Sequence, residues 1–363
     1  MMKNLWRKEV HNLTPYVPGK PIEDVKRELG LDEVIRLASN ENPYGPSVKA
    51  LSAMERSVRD SWLYPEPTSR ELREALGQKY GLDAEQLIVA NGADHIISLL
   101  GHAYINEGDE VIYCQPTFSS YEAVTLLMGG VPVEVTSNED FTVNLKGILE
   151  AVTDKTKLIF ICNPNNPTGT IVDDDELLTF LESLPSHVIA ILDEAYVEYV
   201  DSPKYKTCID FIKAGLPVIG VRTFSKFYGL AGARVGYAMA NSKYIQSLQA
   251  VRQTFAVNRI ALAGALASLE DEAFGAVVFE KNCSERQRLT DALIDLECEV
   301  VDSQSNFIFV NVKQDISKVF ARLMERGLLI RPCTPWKLST YGRITIGTNE
   351  ENNKLIQALK EVL

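Results

Sequence analysis

The chain has no long hydrophobic run. Its apolar stretches, such as Leu158–Cys162 and Val188–Leu192, fall far short of the ~20 residues that cross a bilayer, so a membrane partner is not expected. Positive charge is in deficit, with 37 Lys and Arg against 49 Asp and Glu. The resulting net charge of -12 repels nucleic-acid backbones and anionic lipid surfaces, which argues against nucleic acid as a partner. None of the six cysteines (114, 162, 208, 283, 298 and 333) forms a C-x-x-C pair, and only His11, His95, His102 and His187 could join them. No metal site is therefore expected, and reduced thiols are the plain reading. Met1 to Val10 has neither an apolar core nor a small-residue cleavage site, so a cytoplasmic address is expected. Repeats, low-complexity tracts and charge blocks are missing too.

What remains is an ordinary globular composition over 363 residues, enough for about two domains. Between Leu87 and Ala240, short apolar runs alternate with helix-length amphipathic stretches. The runs are Leu87–Ala90, Val111–Cys114, Leu158–Cys162, Val188–Leu192, Val218–Val221 and Val235–Met239. Continuous apolar strands separated by helices predict a largely parallel α/β sheet buried on both faces. Thr68-x-x-Glu71 reads as a capping box opening a helix that Gly81 ends, and Asp173–Leu184 reads as another with acids in its first turn. After Asn258 come an Ala/Leu-rich helix (Ala261–Leu269), a charged helix (Lys281–Leu296), the strand Phe307–Val312, the strand Arg343–Ile346 and a final helix, the pattern of a smaller α+β domain. The expected division is an arm over 1–40 that packs on the small domain or reaches a partner, a large domain over 41–257 and a small domain over 258–363.

In an open α/β sheet, ligands bind beyond the carboxyl ends of the strands, so the residues that follow each run are informative. Asn91-Gly92-Ala93-Asp94 opens a helix and has the form of a phosphate seat, a form that ordinary strand-to-helix turns share. Gln115-Pro-Thr-Phe118, with Tyr121 one turn on, offers an aromatic face to a flat ligand. Asn163 to Gly169 is a loop stiffened by two prolines with three Asn at a strand mouth. Asp193 ends an apolar strand, where a buried carboxylate requires a cation or hydrogen-bond donors. Lys226 lies between two aromatics at another strand mouth. Desolvation there would lower its pKa and free its amine to attack a carbonyl, while Thr223, Ser225 and Arg234 could hold a phosphate.

Taken in order, Asn163-Pro-Asn-Asn-Pro-Thr-Gly169, Asp193-Glu-Ala-Tyr196 and Ser225-Lys-Phe-Tyr-Gly-Leu-Ala-Gly-Ala-Arg234 resemble the core signatures of the fold-type I pyridoxal-phosphate-dependent aminotransferases. The resemblance covers essentially the whole chain. It implies an α/β fold whose large domain has a mostly parallel central sheet sandwiched by helices, with a smaller α+β domain. It implies pyridoxal 5'-phosphate as cofactor, carried by Lys226, with Asp193 on the pyridine nitrogen, Asn166 and Tyr196 at the ring hydroxyl and Phe118 stacked on the ring. Gly92, Ala93, Asp94, Thr223, Ser225 and Arg234 would hold the phosphate, and Tyr64 would reach across a homodimer interface. Lys226, Asp193 and Tyr196 are the expected catalytic residues.

Leu13 to Pro21, Leu37 to Pro46, Gly327 to Arg331 and Gly342 to Gly347 are similar to the histidinol-phosphate aminotransferase branch. That likeness implies a small-molecule amino donor, L-histidinol phosphate, and a 2-oxo acid acceptor, 2-oxoglutarate. Tyr16, Tyr64, Asn166, Arg331 and Arg343 would contact the substrate, with Arg331 and Tyr64 on its phosphate and Arg343 on the remaining anionic group. Leu63, where the branch often has Arg, and the loop Pro332 to Trp336, which typically carries glycine, depart from the pattern. An aromatic amino-acid aminotransferase and a threonine-phosphate decarboxylase stand as alternatives on the same scaffold. A regulator module is disfavoured because no basic helix-turn-helix precedes residue 40.

Overall fold

The apolar runs form the strands they predict, and alternate residues along them face opposite cores. The computed structural model describes residues 5–13 and 20–363. Its strands in chain order are β1 (Ile35–Arg36), β2 (Leu87–Ala90), β3 (Glu110–Gln115), β4 (Val131–Thr136), β5 (Thr156–Cys162), β6 (Ile189–Asp193), β7 (Val218–Thr223), β8 (Gly236–Ala240), β9 (Glu299–Val301), β10 (Phe307–Asn311), β11 (Leu328–Leu329), β12 (Arg331–Pro332) and β13 (Tyr341–Thr345). Seven of them build the main sheet in the order β2-β8-β7-β6-β5-β3-β4. All of its pairings are parallel except those of β8, which is antiparallel to both β2 and β7. Along β5, Ile159 and Ile161 enter one core while Leu158 and Phe160 enter the other, the period-2 alternation of a sheet covered on both faces. Helix Arg259–Leu269 contributes Ala261 and Ala265 to the first of these cores.

The smaller sheet has the order β12-β13-β10-β9 and is antiparallel, and a two-stranded pair, β1-β11, lies beside it. Helix Glu272–Asp295 links the two bodies. Its Val278 packs with Tyr196, Tyr199 and Phe307, whereas its Leu289 and Leu293 enter the small-domain core.

Local expectations differ from the structure in three places. The charged helix begins at Glu272, one continuous span that includes the expected Lys281–Leu296 segment as far as Asp295. The Thr68/Glu71 capping box does not form, because Ser69, at φ 52°, is the residue that precedes the helix. Instead the Glu66 carboxylate accepts from the amides of Thr68 and Arg70 at 3.1 and 2.6 Å. Finally, the arm divides between two surfaces: Arg7 donates to the Leu127 carbonyl on the large domain, whereas Val25 of helix Ile22–Leu29 packs against Val34 and Leu329 of the small one.

Candidate active site

The parallel strands β5, β6 and β7 end side by side, with Cys162 paired to Asp193 and Asp193 to Val221, so the residues just past their ends share one mouth. Asp193 is 3% exposed. Its Oδ2 accepts from the Tyr121 hydroxyl at 2.7 Å and its Oδ1 from the Ala195 amide at 3.2 Å. Burial pushes this carboxyl up to about 6 even against those two donors. Among the described residues no cation pairs with it, so it is suited to the protonated nitrogen of an aromatic ring.

Lys226 follows β7 by three residues. Its Nζ donates to the Ser39 carbonyl at 2.8 Å and sits 5.8 Å from the centre of the Tyr196 ring. Burial first, and the Arg343 guanidinium second, lower its pKa to about 8, against the opposing pull of Glu41 and Asp94. Such an amine is partly unprotonated near neutral pH, unlike a solvated lysine.

Around this pair the polar groups are held from several elements. Tyr196, 3% exposed, accepts a hydrogen bond from Asn40 Nδ2 at 3.1 Å, and burial raises its phenol. Arg343, on β13, donates to Asn166 Oδ1 and, at 2.6 Å, to the Ala38 carbonyl. Of the three loop asparagines only Asn166 faces the site. Asn163 accepts from the Val172 amide, and Asn165 is spent on Thr117, Pro116 and Thr168.

On the other side lies the cradle at the start of helix Ala93–Tyr104. The amides of Ala93 and Asp94 leave the helix end without intrahelical acceptors. Arg234, in a left-handed conformation at φ 61°, donates to Ser225 Oγ at 3.2 Å and lies 3.7 Å from the Asp94 carboxylate. The Thr223 hydroxyl in turn accepts from the Ser225 amide. Gly92 has φ 85°, and a Cβ there would meet Arg234 Nη2 at 2.5 Å, so glycine is what leaves this cradle open. A seat for a phosphate, a buried acceptor with no cation and a low-pKa amine together fit pyridoxal 5'-phosphate.

Phe118 stands at the same mouth, edge-on to Tyr121 at 5.8 Å. Arg331 lies directly opposite Arg343 across the β12–β13 ladder, which puts both side chains on one face of the small sheet. Tyr64 is not brought to the other residues in this single chain. It is 77% exposed and stacks on Phe255 at 4.5 Å. Tyr16 lies outside the described residues.

Three features are absent from the sequence reading. Tyr121 is not a lid over a flat ligand: it is fully buried, stacked on Phe160, and serves Asp193. Asn40 orients Tyr196, and its place in the Leu37 to Pro46 stretch is a signal that could have found it. Trp336 Nε1 donates to the Thr117 carbonyl at 2.7 Å, tying the small-domain loop to the segment that carries Phe118.

The model of the class I and II aminotransferase family matches residues 32–359. Among curated proteins, the chain is 43% identical to histidinol-phosphate aminotransferase of Moorella thermoacetica, covering 98% of this chain and 92% of the relative. It is 40% identical to the enzyme of that name from Caldicellulosiruptor saccharolyticus, covering 99% and 100%. Among solved structures, histidinol-phosphate aminotransferase from Sinorhizobium meliloti, in complex with pyridoxal-5'-phosphate, superposes with a TM-score of 0.91 at 29% identity, covering 99% of this chain and 97% of that one.

Proposed function

The chain belongs to the class I and II aminotransferases, and from that membership we propose that it transfers the amino group of L-histidinol phosphate to 2-oxoglutarate in histidine biosynthesis, giving imidazole-acetol phosphate and glutamate. The observation that carries the substrate reading is the register of Arg331 opposite Arg343. Two guanidiniums side by side concentrate positive charge on the face that an anionic substrate would meet. The donor brings a phosphate and the acceptor two carboxylates, so two guanidiniums on one face can serve both in turn. Arg343, held by Asn166 and Ala38, takes the acceptor's carboxylate next to the reacting carbon, and Arg331 with Tyr64 takes the donor's phosphate.

When bound, pyridoxal 5'-phosphate supplies an aldehyde carbon and an electron-accepting ring. Lys226 would hold it, and once the substrate's amine has taken its place the freed Nζ would take the proton from the substrate's Cα, a role that its pKa of about 8 suits. Asp193 keeps a proton on the ring nitrogen, with the Tyr121 hydroxyl favouring its ionised form. Tyr196 and Asn166, oriented by Asn40 and Arg343, bond the ring oxygen. Thr223, Ser225, Arg234 and the helix end from Gly92 to Asp94 neutralise the phosphate, and Phe118 covers the ring.

We read the working unit as a homodimer. Val48, Val58, Trp62 and Tyr64 are all more than half exposed along helix Val48–Val58 and the loop after it, an apolar surface that a second copy would cover while delivering Tyr64 to its neighbour's site. The division at about residues 40 and 257 and a cytoplasmic location belong to the same reading. Among the described residues no helix is long and apolar enough to cross a membrane. The test compares histidinol phosphate, phenylalanine and phosphothreonine on the cofactor-loaded enzyme with 2-oxoglutarate. We expect kcat/KM for histidinol phosphate to exceed that for phenylalanine at least tenfold. Parity, or release of carbon dioxide from phosphothreonine, would reverse the assignment.

A further inference from the structure

One residue past Lys226 the chain turns away from the active site and lines a separate cavity of about 420 Å³. It opens between the end of helix Arg70–Tyr80, the turn Val197–Tyr199 and the junction of helices Arg259–Leu269 and Glu272–Asp295. Its walls are aromatic: Tyr80, Phe227, Tyr228, Phe274 and Phe279. Among these rings Glu198 presents a carboxylate oxygen, Oε1, that is buried and has no hydrogen-bond partner. A buried acceptor left unmet costs stability, more so if charged, so this oxygen is suited to a donor that enters the cavity.

The neighbouring charges indicate which donor. Arg222 also lines the cavity, but it is ion-paired with Glu194, its Nε donating at 2.8 Å and its Nη2 lying 2.7 Å from the same oxygen without a hydrogen bond, and it lies over the Tyr80 ring. At the rim, Asp271 pairs with Lys49, which leaves Lys79 against Glu272 and Glu198. The balance is negative, and the walls are ring faces that attract cations. Gly275 keeps the space open, since a Cβ there would lie 3.2 Å from Phe227 Cε1.

We propose that this cavity binds a small planar organic monocation of the amidinium or imidazolium class, its ring between the aromatic walls and an N–H on Glu198 Oε1. The volume lies in the range of small-molecule sites, large enough for a single-ring ligand. Burial holds the free Glu198 carboxyl up at about 7, and a bound cation would draw it back down.

Benzamidine is a suitable probe because, unlike a primary amine, it does not compete for the cofactor's aldehyde. Calorimetric titration of the cofactor-loaded enzyme at pH 8 should show saturable binding of one benzamidine per chain, at least tenfold tighter than its neutral counterpart benzamide. Glu198→Gln should weaken benzamidine at least tenfold, and Gly275→Leu should remove it, with the visible absorbance of the cofactor retained in both. The proposal fails if wild-type enzyme shows no saturable binding, if benzamide binds equally, if Glu198→Gln binds undiminished, or if histidinol phosphate displaces the probe. Binding seen only in Lys79→Ala would make Glu198 that lysine's counter-ion and would also overturn it. No arm measures turnover, so the outcome is separate from that of the substrate comparison.

Discussion

The Tyr121 hydroxyl and the Asp193 carboxylate meet at 2.7 Å in a place where both side chains are buried, and that bond joins the helix after β3 to the end of β6. Tyr121 restrains the rise of the Asp193 pKa but does not cancel the effect of burial.

A stability prediction follows for the cofactor-free protein. The folded chain holds a proton on Asp193 up to about pH 6, whereas the unfolded chain releases it near 3.8. Between those values the folded state binds more protons, so this group's contribution is full at low pH and is lost as pH rises through 6. Two pKa units correspond to about 3 kcal/mol. Asp193→Asn should therefore unfold at higher denaturant than wild type at pH 8, with the gap closing towards pH 4. The same substitution in the loaded enzyme should slow turnover by about 10²-fold or more, because the charge-assisted bond to the ring nitrogen is lost. An equal denaturation midpoint at pH 8 would contradict the burial argument.

For Lys226 the shift is downward, so its neutral amine becomes available as pH rises through about 8. Capture of added pyridoxal 5'-phosphate by the cofactor-free chain, followed by visible absorbance, should accelerate through that pH and level off above it. Lys226→Ala should show neither the absorbance nor turnover while retaining its circular dichroism. Turnover in that variant would remove the lysine from its assigned role.

The two arginines should separate by substrate. Arg343→Lys loses the fork that bonds Asn166 and Ala38, and should lower kcat/KM about 10²-fold for histidinol phosphate and 2-oxoglutarate alike. Arg331→Ala should penalise histidinol phosphate more than 2-oxoglutarate, by about tenfold. Steady-state kinetics with each substrate varied in turn checks this, and equal losses at Arg331 would show that it does not read the phosphate.

Gly92→Ala adds a methyl group 2.5 Å from Arg234 Nη2 at a position with φ 85°. Cofactor affinity, measured by equilibrium dialysis, should fall at least tenfold. Arg234→Lys should give a loss of the same order, since the ammonium cannot reproduce the guanidinium's geometry. Unchanged affinity in Gly92→Ala would mean that the phosphate sits elsewhere.

The main sheet was legible because fully buried strands are continuous apolar runs, and the strand mouths named most of the site. What could not be read there depends on direction and distance along the chain. β8 has the composition of its parallel neighbours, and nothing in five apolar residues encodes the sense in which they run. Tyr121 is an aromatic near Phe118 in sequence, but the helix that carries it turns Tyr121, Val124 and Thr125 inward, so its role was inverted. Ser69 adopts a left-handed conformation that propensity does not favour, because Glu66 already satisfies the helix start. Glu198 reads as an ordinary acid after Asp-Glu-Ala-Tyr, and only the packing of a distant helix over it reveals an unmet oxygen.

Residues 38 to 40 supply a carbonyl to Arg343, a carbonyl to Lys226 and a side chain shared by Tyr196 and Thr345. Two of those partners are made about 300 residues later, on the penultimate element of the chain. During synthesis, therefore, the seven strands are complete once β8 has emerged and their first core once helix Arg259–Leu269 follows, yet the early peptide must wait for β13 before it finds its ties. Competence arrives only with β13, and a chain shortened before residue 343 would leave the reaction centre without its final clasp.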